Sequence, residues 1–408
     1  MSIWREELAL PKLLQASLSA GLVLAVISFY KKSPLILALA CLFAAVYYVS
    51  RIYFKSAADH LVLQNPRRTI RLFTGDTESL HLILSYEGSW PEIRGTMAFT
   101  ADDAVEVENA VITHEKKNVK QKDYEWRFAV PKKSQVEEEL KVTGKRRGAV
   151  KLNRIELNIR NAVGYGVLLL AFDPIYRTEV IVFPAPLPVV GIHPLLRSRQ
   201  GLHPYSRSLF EDATSPAGAR AYERSDPFNR IHWKATAASA SLKTKIVEKT
   251  RECTWAFILN VGSSSYGTSS FQGEALENQL SYLAFMCQQA SSADIPYEIF
   301  MNIRVPGAAG YLKVDKGEGR AHLLRVLETL ARISVSSVTF PLVELLAKTD
   351  GEISSTAAVV ILAGRQEVDG RQEKYYQKWQ KHGSPVYRII DDEEGAYLAK
   401  WSAKRDIS

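Results

Sequence analysis

Two long apolar runs without a charged residue lie near the start of the chain, over residues 13–30 and 33–50. A helix rises about 1.5 Å per residue, so about 18 residues are just enough to cross the hydrocarbon core of a bilayer. A cleaved signal peptide would carry one apolar run followed by small residues, and a buried hairpin of a soluble protein would keep a polar face. The pattern therefore predicts a transmembrane helical hairpin within residues 1–56.

Basic residues decide how such a hairpin is oriented. Its outer ends carry Arg5, Lys12, Arg51 and Lys55, whereas the turn carries two adjacent lysines. Because basic residues concentrate on the cytoplasmic side, this excess predicts that both termini face the cytosol. We expect a multi-pass protein of the cell membrane whose soluble domains are cytosolic. The lipid bilayer is then one of its partners.

The apolar period becomes two in the middle of the chain. The segment SLHLILSY places Leu80, Leu82, Leu84 and Tyr86 on one face, and similar alternation recurs in later segments separated by Gly, Asp and Asn. Alternation of this kind is typical of half-buried antiparallel strands, so residues 57–190 are predicted to form a β-sandwich. Prolines at positions 184, 186, 188 and 194 then indicate a domain boundary near residue 190.

Continuous apolar strands alternate with amphipathic helices in residues 253–408. Buried strands are predicted at residues 254–261, 296–303, 357–364 and 385–390. Between them, helical spacing puts apolar side chains on one face of each helix, and those of the first helix are Leu276, Leu280, Leu283, Ala284 and Cys287. This alternation predicts a parallel, doubly wound α/β domain, and leaves residues 191–252 as a linker.

Charge and cysteine content narrow the class of partner. The chain of 408 residues has a net charge of +8 and a pI of about 9.1, which suits either nucleic acid or an anionic membrane. No nucleic-acid motif accompanies the charge, so we expect no nucleic-acid partner. The triplet Lys145, Arg146 and Arg147 is read either as a solvated turn or as a phospholipid contact. Three cysteines without a CxxC pair indicate buried thiols in a reducing compartment.

Motifs of the common enzyme classes are missing from the sequence. There is no G-x-x-x-x-G-K-[ST] phosphate loop, no H-E-x-x-H and no G-x-S-x-G elbow. A catalytic triad assembled from distant residues stays open, because triads are defined by geometry. We therefore expect a non-enzymatic protein without a cofactor, and keep a hydrolase with an unrecognised site as the less favoured alternative.

The segment RAYERSDPFNRIHWKATAASASLKTKIVEK, residues 220–249, closely resembles the signature of the domain-of-unknown-function 58 family. Ser225 replaces the usual Gly of that signature, and His232 replaces the commoner Asp. Upstream, GKRRGAVKLNRIELNIRNAVGYG and VIVFPAP resemble further family segments. The motif is either a structural network, with Trp233 as its apolar anchor, or a partner-binding surface. Its candidate residues are Arg220, Tyr222, Asp226, Arg230, His232, Trp233 and Lys234.

The resemblance carries expectations about fold and partners. Members of this family look like bacterial membrane-anchored proteins that end in a von Willebrand A-like domain. It implies an adaptor or assembly role beside a MoxR-type AAA+ ATPase and a transglutaminase-like membrane protein, in envelope assembly or maintenance. The alternative is a structural envelope scaffold without an ATPase partner.

A degenerate metal motif follows the first predicted strand of the α/β domain. The von Willebrand A domain has a D-x-S-x-S metal motif at this point, whose oxygen ligands suit a hard divalent cation. Here Asn260 stands at the Asp position, Gly262 at the first Ser position, and only Ser264 matches. Because the carboxylate is absent, we expect no metal at this loop, which is read instead as a helix-capping loop.

Overall fold

The structure divides into two compact units, Met1–Ala185 and Pro186–Ser408. It is a computed structural model, and it describes residues 4–9, 12–116, 121–160, 166–197, 211–239, 241–249, 254–262, 267–268, 273–306, 310–334, 337–354, 357–364, 368–392 and 395–402. The division falls in the proline-rich segment, a few residues before the boundary predicted near residue 190. Residues 186–190 belong to the second unit, because the strand Val189–Val190 pairs within its sheet.

The two apolar runs form two antiparallel helices, α1 (Lys12–Lys31) and α2 (Pro34–His60). They pack closely, since a Cβ added at Gly21 would lie 3.3 Å from the Ala40 carbonyl oxygen. Among the described residues, α2 is long and apolar enough to cross a membrane, whereas the apolar segment Ala16–Lys31 of α1 is shorter. Cys41 lies exposed on α2, so the prediction of a buried thiol was wrong at this position.

Most of the first unit is antiparallel β-structure. Its strands, numbered in chain order, are β1 (Trp4–Ala9), β2 (Leu61–Leu63), β3 (Thr69–Phe73), β4 (Thr77–Tyr86), β5 (Glu92–Asp102), β6 (Val105–Val107), β7 (Val111–Lys116), β8 (Gln121–Pro131), β9 (Ser134–Gly144), β10 (Gly148–Lys151), β11 (Asn153–Arg160), β12 (Val167–Phe172) and β13 (Glu179–Phe183).

A six-stranded sheet and a four-stranded sheet enclose one apolar core. The six-stranded sheet has the order β1-β12-β11-β5-β8-β7, and the four-stranded sheet has the order β2-β4-β9-β6. Leu82 and Leu84 of β4 share the core with Met97 of β5 and Leu157 of β11, and all four are at most 1% exposed. The alternation read from the sequence thus corresponds to the inner faces of a β-sandwich. A short three-stranded sheet, β10-β13-β3, completes the unit.

The N-terminal residues belong to the sandwich as well as to the hairpin. Strand β1 pairs antiparallel with β12, from Trp4 opposite Phe172 to Ala9 opposite Val167. The Trp4 indole N–H donates to the Leu61 carbonyl at 2.6 Å. The assignment of all of residues 1–56 to a membrane hairpin was therefore too broad, because edge pairing with a distant strand leaves no periodic signal in six residues.

The second unit is an α/β domain preceded by shorter elements. Its helices are α3 (His193–Arg197), α4 (Trp233–Ser239), α5 (Gly273–Ser292), α6 (Gly319–Arg332), α7 (Leu342–Thr349) and α8 (Gly370–Lys381), with a 3-10 turn at Phe228–Arg230. Its strands are β14 (Val189–Val190), β15 (Glu211–Ala221), β16 (Lys243–Lys249), β17 (Thr254–Leu259), β18 (Gly267–Thr268), β19 (Tyr297–Met301), β20 (Leu312–Gly317), β21 (Val338–Thr339), β22 (Ala357–Leu362), β23 (Val386–Asp392) and β24 (Gly395–Lys400).

The main sheet of this unit has the order β14-β24-β23-β22-β17-β19-β20. The strand β17 lies parallel to both β19 and β22, and β22 lies parallel to β23. Helices α7 and α8 cover one face, where Ile258, Leu345 and Trp379 share a core. On the other face, the α6 ring of His322 lies 4.6 Å from that of Tyr297. The predicted alternation of parallel strands and helices is therefore present.

The region predicted as a linker is folded in part. Strands β15 and β16 pair antiparallel. The signature motif, residues 220–249, comprises the end of β15, the connection between the two strands and β16 itself. A separate two-stranded ladder joins β18 to β21. Residues 211–239 and 241–249 therefore form a β-hairpin with an inserted turn and a short helix. The sequence pattern did not predict these elements, because they are short and contain many polar residues.

Candidate functional site

Asp226 organises the signature motif. Its carboxylate accepts hydrogen bonds from the Glu223 N–H at 3.0 Å, from the Thr244 hydroxyl at 3.0 Å and from the Arg220 guanidinium at 2.5 Å. The Tyr222 hydroxyl donates to the Asp226 carbonyl at 3.1 Å. The Glu223 N–H, followed by the Arg220 guanidinium, holds the pKa of Asp226 below its ordinary value. These contacts tie the turn to both strands of the hairpin.

His232 and Thr236 fasten the short helix α4 to the second strand. The Ala235 N–H donates to Nδ1 of His232 at 3.1 Å, which is the contact an N-capping side chain makes. The His232 N–H donates to the Lys243 carbonyl at 2.8 Å, and the Lys243 N–H donates to the Thr236 hydroxyl at 3.0 Å. An imidazole thus provides the cap where the family signature usually has an aspartate.

Aromatic side chains form an exposed ridge on this motif, which we call the aromatic ridge (Tyr222, Phe228 and Trp233). The Phe228 ring lies 6.5 Å from the Tyr222 ring and 6.5 Å from the Trp233 ring. Phe228 is 70% exposed and Trp233 is 63% exposed, whereas Tyr222 is half-buried. Trp233 is therefore not the apolar anchor of the motif; Ile231, at 1% exposure, takes that place.

The remaining candidate residues lie on the same turn and helix. Arg230 ends the 3-10 turn and is exposed, and Lys234 is exposed on α4. Within the expected network, the pairing of Arg220 with Asp226 is present.

The loop after β17 is closed by buried amides, which we call the amide network (Asn260, Gln279 and Asn302). Asn302, which is fully buried, donates to Oδ1 of Asn260 at 2.6 Å and to the Phe340 carbonyl at 2.7 Å, and accepts from the Val261 N–H at 2.6 Å. Gln279 satisfies both of its amide atoms by donating to the Asn260 carbonyl at 3.2 Å and accepting from the Gly364 N–H at 3.1 Å.

The position of the first motif serine is filled by another side chain. A Cβ added at Gly262 would lie 2.2 Å from the Thr339 hydroxyl oxygen, and Thr339 itself is 1% exposed. A serine at this position would therefore collide with Thr339. Ser264 lies outside the described residues, and so does Cys253. Among the described residues, no group of three or more His, Cys, Asp or Glu side chains could hold a metal ion.

Two residues of the basic triplet before β10, Lys145 and Arg146, are paired with acidic residues. The Lys145 ammonium lies 2.7 Å from a Glu106 carboxylate oxygen. Arg146 bonds Asp103 and lies 3.9 Å from Asp102. These pairs favour the reading as a charged turn over the reading as a phospholipid contact.

Sequence reasoning located the loop but missed the partners that close it. Asn302 follows β19, and Thr339 ends β21, so each is about 40 residues or more from the loop it contacts. One signal was available, because the carboxyl ends of parallel strands meet at one edge of a sheet. A polar residue directly after the second predicted strand, such as Asn302, was therefore a candidate neighbour of Asn260.

Comparisons with known proteins do not identify a family. No protein-family model matches the chain, and no curated protein matches it. The cohesin CaCohA2 of Clostridium acetobutylicum is 12% identical over 30% of this chain and 90% of its own, with a TM-score of 0.22. A non-cellulosomal cohesin of Archaeoglobus fulgidus is 10% identical over 30% of this chain and 89% of its own, with a TM-score of 0.19.

A sporulation control protein of Bacillus subtilis is also among the similar structures. It is 12% identical over 40% of this chain and 56% of its own, with a TM-score of 0.15. TM-scores this far below 0.5 carry no argument about fold or function. The reasoning below therefore rests on the contacts of this chain.

Proposed function

We propose that this chain is a membrane-anchored, non-enzymatic adaptor that works with a MoxR-type AAA+ ATPase. The observation that carries the proposal is the aromatic ridge, in which Phe228 and Trp233 stand 70% and 63% exposed on a turn fixed by Asp226. The partner itself comes from the family resemblance of residues 220–249. The proposal includes a multi-pass anchor formed by α1 and α2, with the soluble units in the cytosol.

The ridge has the features of a binding surface more than of a packing element. Large aromatic side chains are enriched at the energetic centres of protein interfaces, since they bury much area at a small entropy cost. An Asp226-centred network of charge-assisted hydrogen bonds, joined by the Tyr222 hydroxyl, holds the turn without help from the rings of Phe228 and Trp233. The rings of Phe228 and Trp233 are thus free to serve recognition, while stability depends on Tyr222, Asp226, Ile231 and Thr244.

The α/β domain supports the same reading through its strand order. The six strands β20-β19-β17-β22-β23-β24 follow the order 3-2-1-4-5-6 in chain sequence, with the reversal between β17 and β22. The central four strands are parallel, as in a doubly wound sheet, and β20 and β24 are antiparallel additions at either side. We propose that this is a degenerate von Willebrand A-like domain. The amide network and Thr339 occupy its loop after β17, which favours a protein-binding role over metal chemistry there.

The test of the ridge is capture of the ATPase by full-length protein in detergent. We expect the wild-type chain to retain the MoxR-type ATPase of the same organism, and Trp233→Ala to weaken retention by about 2 kcal/mol or more, roughly thirtyfold in Kd. Tyr397→Ala is the matched control, because Tyr397 is also a large, partly exposed ring, at 39%, in the second unit.

Thermal unfolding separates loss of binding from loss of fold. Because Trp233 is mostly exposed, Trp233→Ala should change the free energy of unfolding by no more than about 0.5 kcal/mol. Undiminished capture by a folded Trp233→Ala protein would show that the partner surface lies elsewhere. Absence of capture by the wild type, together with cell-shape or wall defects in a deletion strain, would favour the envelope-scaffold alternative.

The anchor has its own test. Full-length protein from cells lysed without detergent should sediment with membranes and return to the supernatant when detergent is added. A soluble product in the absence of detergent would contradict the anchor, whatever the outcome with the ATPase.

A further inference from the structure

A cavity of about 880 Å³ lies where α2 meets the six-stranded sheet. Tyr53, in the last third of α2, joins the two: its hydroxyl donates to the Arg160 carbonyl at 3.3 Å and accepts from the Arg94 N–H at 3.3 Å. Arg94 lies near the start of β5, and Arg160 is the last residue of β11. Both residues line the cavity together with Tyr53.

The helical hairpin is connected to the six-stranded sheet at the same end of the sheet as the cavity. In the strand registers, Arg160 lies opposite Val167, and Val167 lies opposite Ala9. Ala9 is the last residue of β1, and α1 begins at Lys12. On the second helix, exposed Arg51 precedes Tyr53 by two residues, which is about 3 Å along the helix axis. The cavity therefore lies at the level where apolar helix gives way to folded protein.

The cavity lining combines guanidinium groups with indole rings. Arg94, Arg127 and Arg160 contribute three positive charges, against two carboxylates from Glu92 and Glu125. Arg94 bonds Glu92. Arg127 and Arg160 are exposed, and their guanidinium groups have no ion-pair partner within the described ranges.

Two half-buried tryptophans complete the lining. Trp90 packs its ring 5.3 Å from that of Tyr53, and Trp126 lies 6.1 Å from Phe128. Indoles are favoured at the boundary between hydrocarbon and water, because one edge is apolar and the other can donate a hydrogen bond. Asn158, directly across from Thr96 on β5, adds an amide to the same lining.

We infer that this cavity binds the phosphate group of an anionic phospholipid headgroup. A guanidinium offers paired N–H donors that match phosphate oxygens, and this recognises a phosphate better than a point charge does. Arg127 and Arg160 would bind the phosphate, and Trp90, which packs on Tyr53, would lie at the acyl-chain boundary. The inference rests on the proposed membrane anchor, since that anchor would bring the cavity to the headgroup layer.

The test uses the full chain in detergent and three probes. The first is short-chain phosphatidylglycerol, the second is the phosphatidylcholine of the same chain length, and the third is glycerol 3-phosphate. Binding is followed by tryptophan fluorescence and by the rise in unfolding temperature, because a ligand that binds only the folded state stabilises it. We expect phosphatidylglycerol to bind and phosphatidylcholine to bind at least about tenfold more weakly.

Two variants make the assignment specific. Arg127→Gln with Arg160→Gln should weaken phosphatidylglycerol binding about tenfold or more, and Arg127→Lys should weaken it less, because charge remains but the paired donors are lost. Arg154→Gln is the matched control, since Arg154 is an exposed arginine of the same strand, about 20 Å from Arg160. All variants should unfold at the wild-type temperature without ligand, because the three arginines are exposed.

Each remaining outcome has a distinct meaning. Equal binding of glycerol 3-phosphate would keep the phosphate site but assign it to a soluble ligand. Equal binding of phosphatidylcholine, or undiminished phosphatidylglycerol binding by the double variant, would overturn the inference. Sedimentation without detergent is scored separately, so failure of the anchor and failure of the cavity are distinguishable.

Discussion

Replacing Asn302 by alanine should destabilise the second unit substantially. The Asn302 amide is fully buried and makes three hydrogen bonds between 2.6 and 2.7 Å, to Asn260, Val261 and Phe340. The substitution removes all three and leaves two carbonyl-type oxygens and one backbone N–H without their partner. Because the site is closed to solvent, these groups cannot recover the bonds from bulk water.

The expected loss can be worked from those bonds. A net contribution of about 1 kcal/mol for each bond gives about 3 kcal/mol, and the cost of leaving buried groups unsatisfied makes this a lower value. For a unit of roughly 220 residues, about 3 kcal/mol corresponds to a fall in Tm of about 6–12 °C.

Thermal unfolding of the full chain in detergent measures this shift, and hydrogen exchange localises it to the Val261 amide. Asn229→Ala is the control, since Asn229 is an exposed asparagine of the same unit and should shift Tm by less than about 2 °C. A fall of less than about 2 °C for Asn302→Ala would refute the idea that the amide network holds the loop.

Three further predictions concern the second unit. Gly262→Ser should cost about 1–3 kcal/mol, because its new side chain meets the Thr339 hydroxyl, and Thr339→Ala should recover part of that loss; additive effects in a double-mutant cycle would contradict the clash. Lys313→Met should lower stability by about 1–2 kcal/mol in urea unfolding, because the Lys313 ammonium lies 2.9 Å from a Glu352 carboxylate oxygen and 3.9 Å from one of Glu298, whose pKa is raised by burial; an unchanged midpoint would show that neither pair contributes. Burial lowers the pKa of His322, so the unfolded chain binds the proton more tightly, and stability should be complete above about pH 6.5 and fall below it. His322→Gln should flatten that part of the pH profile, and an identical slope in both proteins would rule His322 out.

The α/β domain shows how far periodicity reaches. The strand predicted at 254–261 is β17, and the five apolar residues predicted on one face of the first helix are all buried on α5. Period 2 and period 3.6 depend on local geometry, so they survive in sequence alone. In the first unit, the same rule identified the buried face of β4, whose four predicted residues are at most 2% exposed.

The candidate motif was recognisable from sequence, but the role of each side chain was not. Trp233 reads as a natural anchor because tryptophan buries more area than any other residue, yet its ring is 63% exposed and Ile231 is buried instead. Trp233 begins α4, which His232 caps and Thr236 holds against β16, and its ring is left on the solvent side. Exposure of one ring is a property of the folded hairpin, which no local pattern records.

What the sequence by itself determined is the order of the elements, an apolar helix near the N-terminus that is long enough to cross a membrane, and an amide rather than a carboxylate at Asn260. Only the tertiary structure decided what surrounds Asn260 and Gly262, because Asn302 and Thr339 come from other strands and fill the space at this loop with an amide and a hydroxyl side chain. It likewise decided that Arg94 and Arg160 meet at Tyr53. Contacts between residues far apart in the chain form only when the sheet sets strand order and register, and these are set by packing rather than by any one segment.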